Sequence, residues 1–292
     1  MPCSDSPHHA TGDLSAKVVC PVCPHACTLS DGQVGICGAR QACDGRVVDQ
    51  NYGRLTSMAL DPIEKKPLAC YKSGSLILSI GSYGCNMRCP FCQNASISYA
   101  HQETVPWWQS TPEHVVETAQ SLMEKGNIGI AYTYNEPLIG YEFVRDTSIK
   151  AHDAGLVNII VSNGMINPQP LSELTTLLDA ANIDLKGFSD SFYRWAGGDF
   201  ETVKHTIATL AHTPTCHLEV TTLIIPGIND DPLLMDEMAS WLARLDPDIP
   251  YHITRFFPCH ALTDRKPTEV AVIHQLVEIA RTHLTRVFPG NC

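Results

Sequence analysis

The chain has 292 residues, 44% of them apolar, and its 20 basic and 31 acidic side chains leave a formal charge of −11. That length suits one large barrel or two modest domains, and it exceeds the size of most disulfide scaffolds despite 13 cysteines. The acidic balance, relieved by one compact basic pair at Lys65-Lys66, argues against bulk binding of nucleic acid.

Residues 1–19 are polar and read as a flexible tail. Met1 to Lys17 has no basic stretch leading into an apolar core, so no signal peptide is expected. No run of about 18 apolar residues occurs, so no membrane span is predicted. The cytoplasm, where thiols stay reduced, is the expected compartment.

Residues 20–74 form a cysteine-rich segment and a linker. Cys20, Cys23, Cys27 and Cys37 follow the spacing C-x2-C-x3-C-x9-C. Four thiolates so close together suit a structural zinc site or, less commonly, a second iron–sulfur cluster. His25 reads as loop filling. Residues 61–68 read equally well as a solvated linker or as the lining of an entrance. Six further cysteines, Cys43 among them, are scattered and read as ordinary thiols.

From residue 75 to 292, short apolar runs alternate with amphipathic stretches. The runs at 76–80, 128–132, 157–161, 181–185, 217–224 and 251–254 read as six strands. Helix starts stand at Thr111-Pro112-Glu113, Asp231-Pro232 and Pro267-Thr268-Glu269. About 36 residues per unit is the size of a βαβ repeat, and such alternation predicts a parallel sheet. Chemistry in these folds gathers beyond the C-terminal ends of the strands.

The residues just after each strand are therefore the informative ones. The first strand leads into Gly84-Cys85-Asn86-Met87-Arg88-Cys89-Pro90-Phe91-Cys92. Three thiolates spaced C-x3-C-x2-C can hold three irons of a [4Fe–4S] cube, which usually takes four. The fourth iron stays open to a small molecule. Later strands lead to Asn135-Glu136, to Ser162-Asn163-Gly164 and to Asp184-Leu185-Lys186. Those polar groups suit a ligand with an amino acid end, a ribose and an adenine, and S-adenosylmethionine (SAM) has all three parts.

The cluster loop resembles that of radical SAM enzymes, within the branch of the pyruvate formate-lyase activating enzymes. The closest likeness is to the AmmeMemoRadiSam system radical SAM enzyme family. It is carried by Cys20-Pro21-Val22-Cys23-Pro24-His25-Ala26-Cys27, Asp61-Pro62-Ile63-Glu64-Lys65-Lys66-Pro67-Leu68, Tyr132-Thr133-Tyr134-Asn135-Glu136-Pro137, Asn182-Ile183-Asp184-Leu185-Lys186-Gly187-Phe188 and Glu219-Val220-Thr221-Thr222-Leu223-Ile224-Ile225-Pro226-Gly227. The resemblance implies an α/β fold, a partial (β/α)6 barrel, with a small N-terminal metal-binding segment. It implies a [4Fe–4S] cluster on Cys85, Cys89 and Cys92, with SAM contacts at Asn135, Glu136, Asn163, Asp184 and Lys186 and with Phe91 near the adenine.

The implied activity is reductive cleavage of SAM to a 5′-deoxyadenosyl radical that takes a hydrogen atom from a protein or peptide. A flavodoxin- or ferredoxin-like donor would supply the electron. Two alternatives remain open: modification of a small molecule, and a non-catalytic electron carrier. Relatives often carry a histidine where Phe257 stands, so any role of that histidine would be lost or fall to His252. The chain also stops sooner than many relatives, an expectation of an open mouth that admits a large substrate.

Overall fold

The computed structural model describes residues 17–292. Most of the expected tail lies outside the described residues. Val18–Val19 instead pairs antiparallel with Thr28–Leu29.

One eight-stranded sheet organises the chain. Its strands are β1 (Ser57–Pro62), β2 (Leu76–Gly81), β3 (Asn127–Tyr132), β4 (Val157–Ser162), β5 (Ala180–Asp184), β6 (His217–Ile224), β7 (Tyr251–Arg255) and β8 (Val287–Gly290). They lie side by side in chain order. β2 to β8 run parallel, and β1 runs antiparallel along the free edge of β2. The architecture is an α/β partial barrel with a mostly parallel sheet.

The six predicted strands are all present as β2 to β7. Their residues are buried on both faces, as parallel strands covered by helices must be. β1 and β8 are additions at the two edges. β1, at Ser57–Pro62, thus joins this sheet from the segment ahead of residue 75.

Five longer helices cover the sheet: α1 (Pro112–Ser121), α2 (Tyr141–Asp153), α3 (Phe200–Ala211), α4 (Pro232–Leu245) and α5 (Val270–Ala280). The predicted caps of α1 and α4 form, with Thr111 accepting from His114 N (3.2 Å) and Asp231 from Leu233 N (2.9 Å). Each such cap stabilises its helix by about 1 kcal/mol. The expected start of α5 differs. Thr268 turns its hydroxyl to the Ile224 carbonyl (2.6 Å), tying the helix entry to the end of β6.

The stretch after β1 does border the barrel's cavity, through Glu64, Lys65 and Pro67, but its apolar side chains are packed and not solvated. Ile63 and Leu68, both 0% exposed, pack on Ile77, Ala131, Ile159 and Ala180 from four neighbouring strands. This apolar plug closes the N-terminal end of the barrel. Burying two such side chains contributes about 1.5–3 kcal/mol each. Polar clamps hold its backbone: Asn182 Nδ2 donates to the Pro67 carbonyl (2.8 Å), and Glu219 accepts from the Ala69 and Cys70 amides. Asp61 anchors the other side through Lys65 (3.1 Å), Lys66 (2.8 Å) and the Tyr134 hydroxyl (2.7 Å).

The cysteine-rich segment lies against the loop that follows β2. Cys85 N donates to the Cys37 carbonyl (3.1 Å), and His25 Nε2 donates to the Asn86 carbonyl (2.7 Å). His25 is thus a tether, more than loop filling. Gly84 is required at this contact. Its φ is +88°, and a Cβ there would stand 2.4 Å from the Cys37 oxygen. Arg40, 3% exposed, grips Glu142 of α2 with two hydrogen bonds (2.6 and 2.7 Å), a bidentate geometry. Cys43, expected as an ordinary thiol, is disulfide-bonded.

Candidate functional site

The C-terminal ends of the strands open into a cavity of about 750 Å³. Its walls include Cys85, Cys89, Cys92 and Phe91 from the loop after β2, and Asn135 and Glu136 from the loop after β3. Asn163 follows β4, Asp184 ends β5, and Lys186 lies two residues further on. All nine residues expected around the cluster and SAM therefore border one space.

Their roles divide on contact. Asn135 uses its whole amide on the neighbouring backbone: Oδ1 accepts from Ser82 N (2.8 Å), and Nδ2 donates to the Tyr83, Gly84 and Glu136 carbonyls. It shapes the approach to Cys85. Glu136 is also largely engaged, with Oε1 accepting from Leu138 N (3.0 Å) and Ser162 Oγ (2.8 Å), and Oε2 from Asn163 N (2.8 Å). Burial pushes its carboxyl up to about 7, against those hydrogen bonds and the Lys186 charge.

Asn163 reaches the thiols directly. Its Nδ2 lies 3.5 Å from Cys85 Sγ and 3.0 Å from Asn86 Oδ1. Met87 N also donates to Cys85 Sγ (3.3 Å). Lys186 pairs with Asp184 at 2.7 Å. Burial works against the ammonium, yet Asp184 and Cys89 hold it above the ordinary lysine range. Phe91 is buried against Trp195, with stacked rings 5.6 Å apart, and Phe192.

Cys85 and Cys89 lack a countercharge sufficient to ionise them. Burial raises Cys85, and Glu136 adds to the rise. Burial likewise pushes Cys89 up to about 11, with Lys186 opposing it. Metal coordination deprotonates such a thiol outright, so iron would supply the missing positive charge. Among the described residues no three His, Cys, Asp or Glu side chains converge on one ion. A cube spreads its thiolates over separate irons and asks for no such convergence. The donor set fits a [4Fe–4S] cluster with SAM alongside.

The N-terminal thiols differ. Cys20, Cys23 and Cys37 are buried and Cys27 is half-buried, and none of the four lines the cavity. Cys23 is pushed up to about 11 by burial.

Several groups around the cavity take contacts that the sequence did not specify. Tyr134, at φ +71°, lines it and reaches Asp61. Ser162 locks Glu136. Thr221 and His252 line the inner end, with Glu219 behind them. The available signal was polar residues at alternating positions of otherwise apolar strands.

A family model described as the radical SAM superfamily matches residues 79–238. The uncharacterized protein MJ0808 of Methanocaldococcus jannaschii is 36% identical over 280 residues, covering 94% of this chain and 81% of that protein. Streptococcus suis SuiB bound to S-adenosylmethionine superposes with a TM-score of 0.58 at 11% identity, over 79% of this chain and 53% of SuiB. The chain thus spans about half of SuiB, which has also been solved with its precursor peptide SuiA. A radical SAM methyltransferase from Sphaerobacter thermophilus gives 0.52 at 14% identity, over 74% of this chain and 66% of that one. These superpositions share the fold. Among the described residues no helix is long and apolar enough to cross a membrane.

Proposed function

Because the chain belongs to the radical SAM superfamily, we propose that it holds a [4Fe–4S] cluster on Cys85, Cys89 and Cys92 and acts through SAM on a protein or peptide. One observation carries this reading: three thiols of the right spacing share a cavity wall with Asn163, Asp184 and Lys186. The cluster and SAM, when bound, supply one-electron reductive cleavage to a 5′-deoxyadenosyl radical, chemistry that belongs to the cofactors.

The chain's own residues orient and shield. Lys186 and Asp184 offer opposite charges 2.7 Å apart, suited to the carboxylate and hydroxyl or ammonium groups of SAM. Asn163 donates toward Cys85 Sγ, favouring the thiolate. Phe91 offers a ring face toward a purine. The plug at the floor excludes water from below.

A peptide substrate is supported by the size of the cavity and by the likeness to SuiB, a protein solved with a precursor peptide. The motifs from Cys20 to Gly227 support a place in the AmmeMemoRadiSam family. An electron donor of flavodoxin or ferredoxin type, in the cytoplasm, completes the reading. The N-terminal thiols could serve as a zinc or second cluster site once drawn together by the ion. Anaerobic reconstituted protein, given SAM and dithionite, is expected to release 5′-deoxyadenosine. None released from a sample with an intact cube would sink the proposal.

A further inference from the structure

Beneath the cluster the barrel carries a second set of reactive groups. Glu219 on β6 is 0% exposed, and its two oxygens take four donors. Oε1 accepts from His217 Nε2 (2.9 Å) and Cys70 N (2.8 Å). Oε2 accepts from His252 Nε2 (2.6 Å) and Ala69 N (3.0 Å). Burial alone would favour the neutral acid, but the two histidines and two amides lower the carboxyl to about 2.

An ionised carboxylate only accepts hydrogen bonds. The His252 proton therefore sits on Nε2, and in the neutral ring Nδ1 carries a free lone pair. Nδ1 has no hydrogen-bond partner among the described residues, while the ring lines the cavity and stacks on Phe288 with centroids 5.3 Å apart. His252 is the register partner of Thr221, and Thr221 of Asp184. All three line the cavity, so this nitrogen shares a row with the group expected beside SAM.

A floor built only to pack would need no buried carboxylate. The plug could rest on a leucine at position 219, which would avoid the cost of burying a charge. What the carboxylate adds is a fixed tautomer and orientation for His252, the role a buried acid plays behind a catalytic imidazole.

We propose that His252 is the proton acceptor of the reaction chamber, with Glu219 as its positioning residue, for a substrate carrying a hydroxyl, amide or ammonium proton. The substrate O–H or N–H bond breaks and leaves its electron pair on oxygen or nitrogen. The proton forms a new bond to Nδ1, and the imidazolium charge lies against the Glu219 carboxylate. No electron is gained or lost, so no further reactant is required.

This assignment rests on the cavity being the reaction chamber, so its test uses no SAM and can fail separately from SAM cleavage. Reconstituted, cluster-loaded protein labelled with 15N-histidine is examined by long-range proton–nitrogen correlation at about pH 8, where an ordinary imidazole is neutral. His252 is assigned by its absence from the H252Q spectrum. The expected result is a proton on Nε2 and none on Nδ1, and a proton on Nδ1 overturns the proposal. A second measurement follows diethylpyrocarbonate modification by peptide mapping. His252 is expected to react at Nδ1, about tenfold more slowly in folded E219Q, which loses the carboxylate that holds the ring proton on Nε2. No reaction at His252, or an equal rate in E219Q, overturns it. Should E219Q fail to fold, the wild-type spectrum decides.

Discussion

The two cysteine groups use the same side chain at similar density, yet their surroundings are opposite. Cys85, Cys89 and Cys92 stand on the wall of a 750 Å³ cavity, with the Asp184–Lys186 pair within electrostatic reach of Cys89. Cys20, Cys23 and Cys37 are buried away from the cavity, and the Cys37 carbonyl accepts from Cys85 N of that same loop. Spacing marks both as metal ligands in principle. Open space and unlike charges nearby distinguish a reactive site from a supporting one.

The largest expected effect separates the two groups outright. C85A, C89A or C92A should lose the cube and reduce 5′-deoxyadenosine release to that of a protein-free control. C23A should retain the cube and much of that release, at lower stability. Metal analysis sharpens the contrast. In the C85A/C89A/C92A protein, stoichiometric zinc or residual iron would place an ion on the N-terminal thiols, and neither would make that knot a purely packed one.

A smaller effect belongs to the charges beside Cys89. K186M removes the ammonium but keeps the bulk of the chain. KM for SAM is expected to rise about tenfold, equivalent to ~1.4 kcal/mol of binding. D184N should do less, since Lys186 would remain. Equal KM values in all three proteins, measured by 5′-deoxyadenosine release, would move the SAM site elsewhere.

Much of this was legible in the sequence because parallel strands buried on both faces read as continuous apolar runs, and the polar residues after them stand out. Leu76–Gly81 and Val157–Ser162 are of that kind. The edges were not legible. β1 contains Asp61 and Pro62, and β8 is Val-Phe-Pro-Gly, compositions that suit edge strands and look like turns. At the site, residue positions were readable but bonding was not. Asn135 and Glu136 were expected to meet SAM, and their side chains are instead engaged by protein groups that include Ser82, Ser162 and Asn163, partners 26 to 53 residues away. The plug was hidden for the same reason. Nothing local in Ile63 or Leu68 says that the barrel floor will close over them.

The contact between the two cysteine groups can be broken at a single atom. G84A places a Cβ against the Cys37 carbonyl at a positive φ, and is expected to cost roughly 1–3 kcal/mol. G32A is the control, for its φ is +77° and nothing lies within 4 Å. A lower Tm for G84A than for G32A, with poorer retention of the cube, would show that the N-terminal knot braces the cluster loop. Equal Tm values would leave the knot a passive neighbour.

The smallest effect concerns pH, and it tests how the loop's support is charged. Glu136 is raised to about 7 in the fold from an ordinary value of 4.5. The folded state therefore holds this proton more tightly than the unfolded chain does. Its contribution to stability is full below about 4.5 and is lost as pH rises through about 7. Asp49, also pushed up to about 7 by burial, acts in the same direction. E136Q cannot ionise, so its Tm should fall less than that of the wild type between those two values. Glu219 has the opposite sign, with stability lost only as pH falls from about 4.5 toward 2, outside the window of the measurement. Parallel Tm curves for wild type and E136Q would mean that Glu136 is ionised at no net cost, its three donors compensating fully for burial.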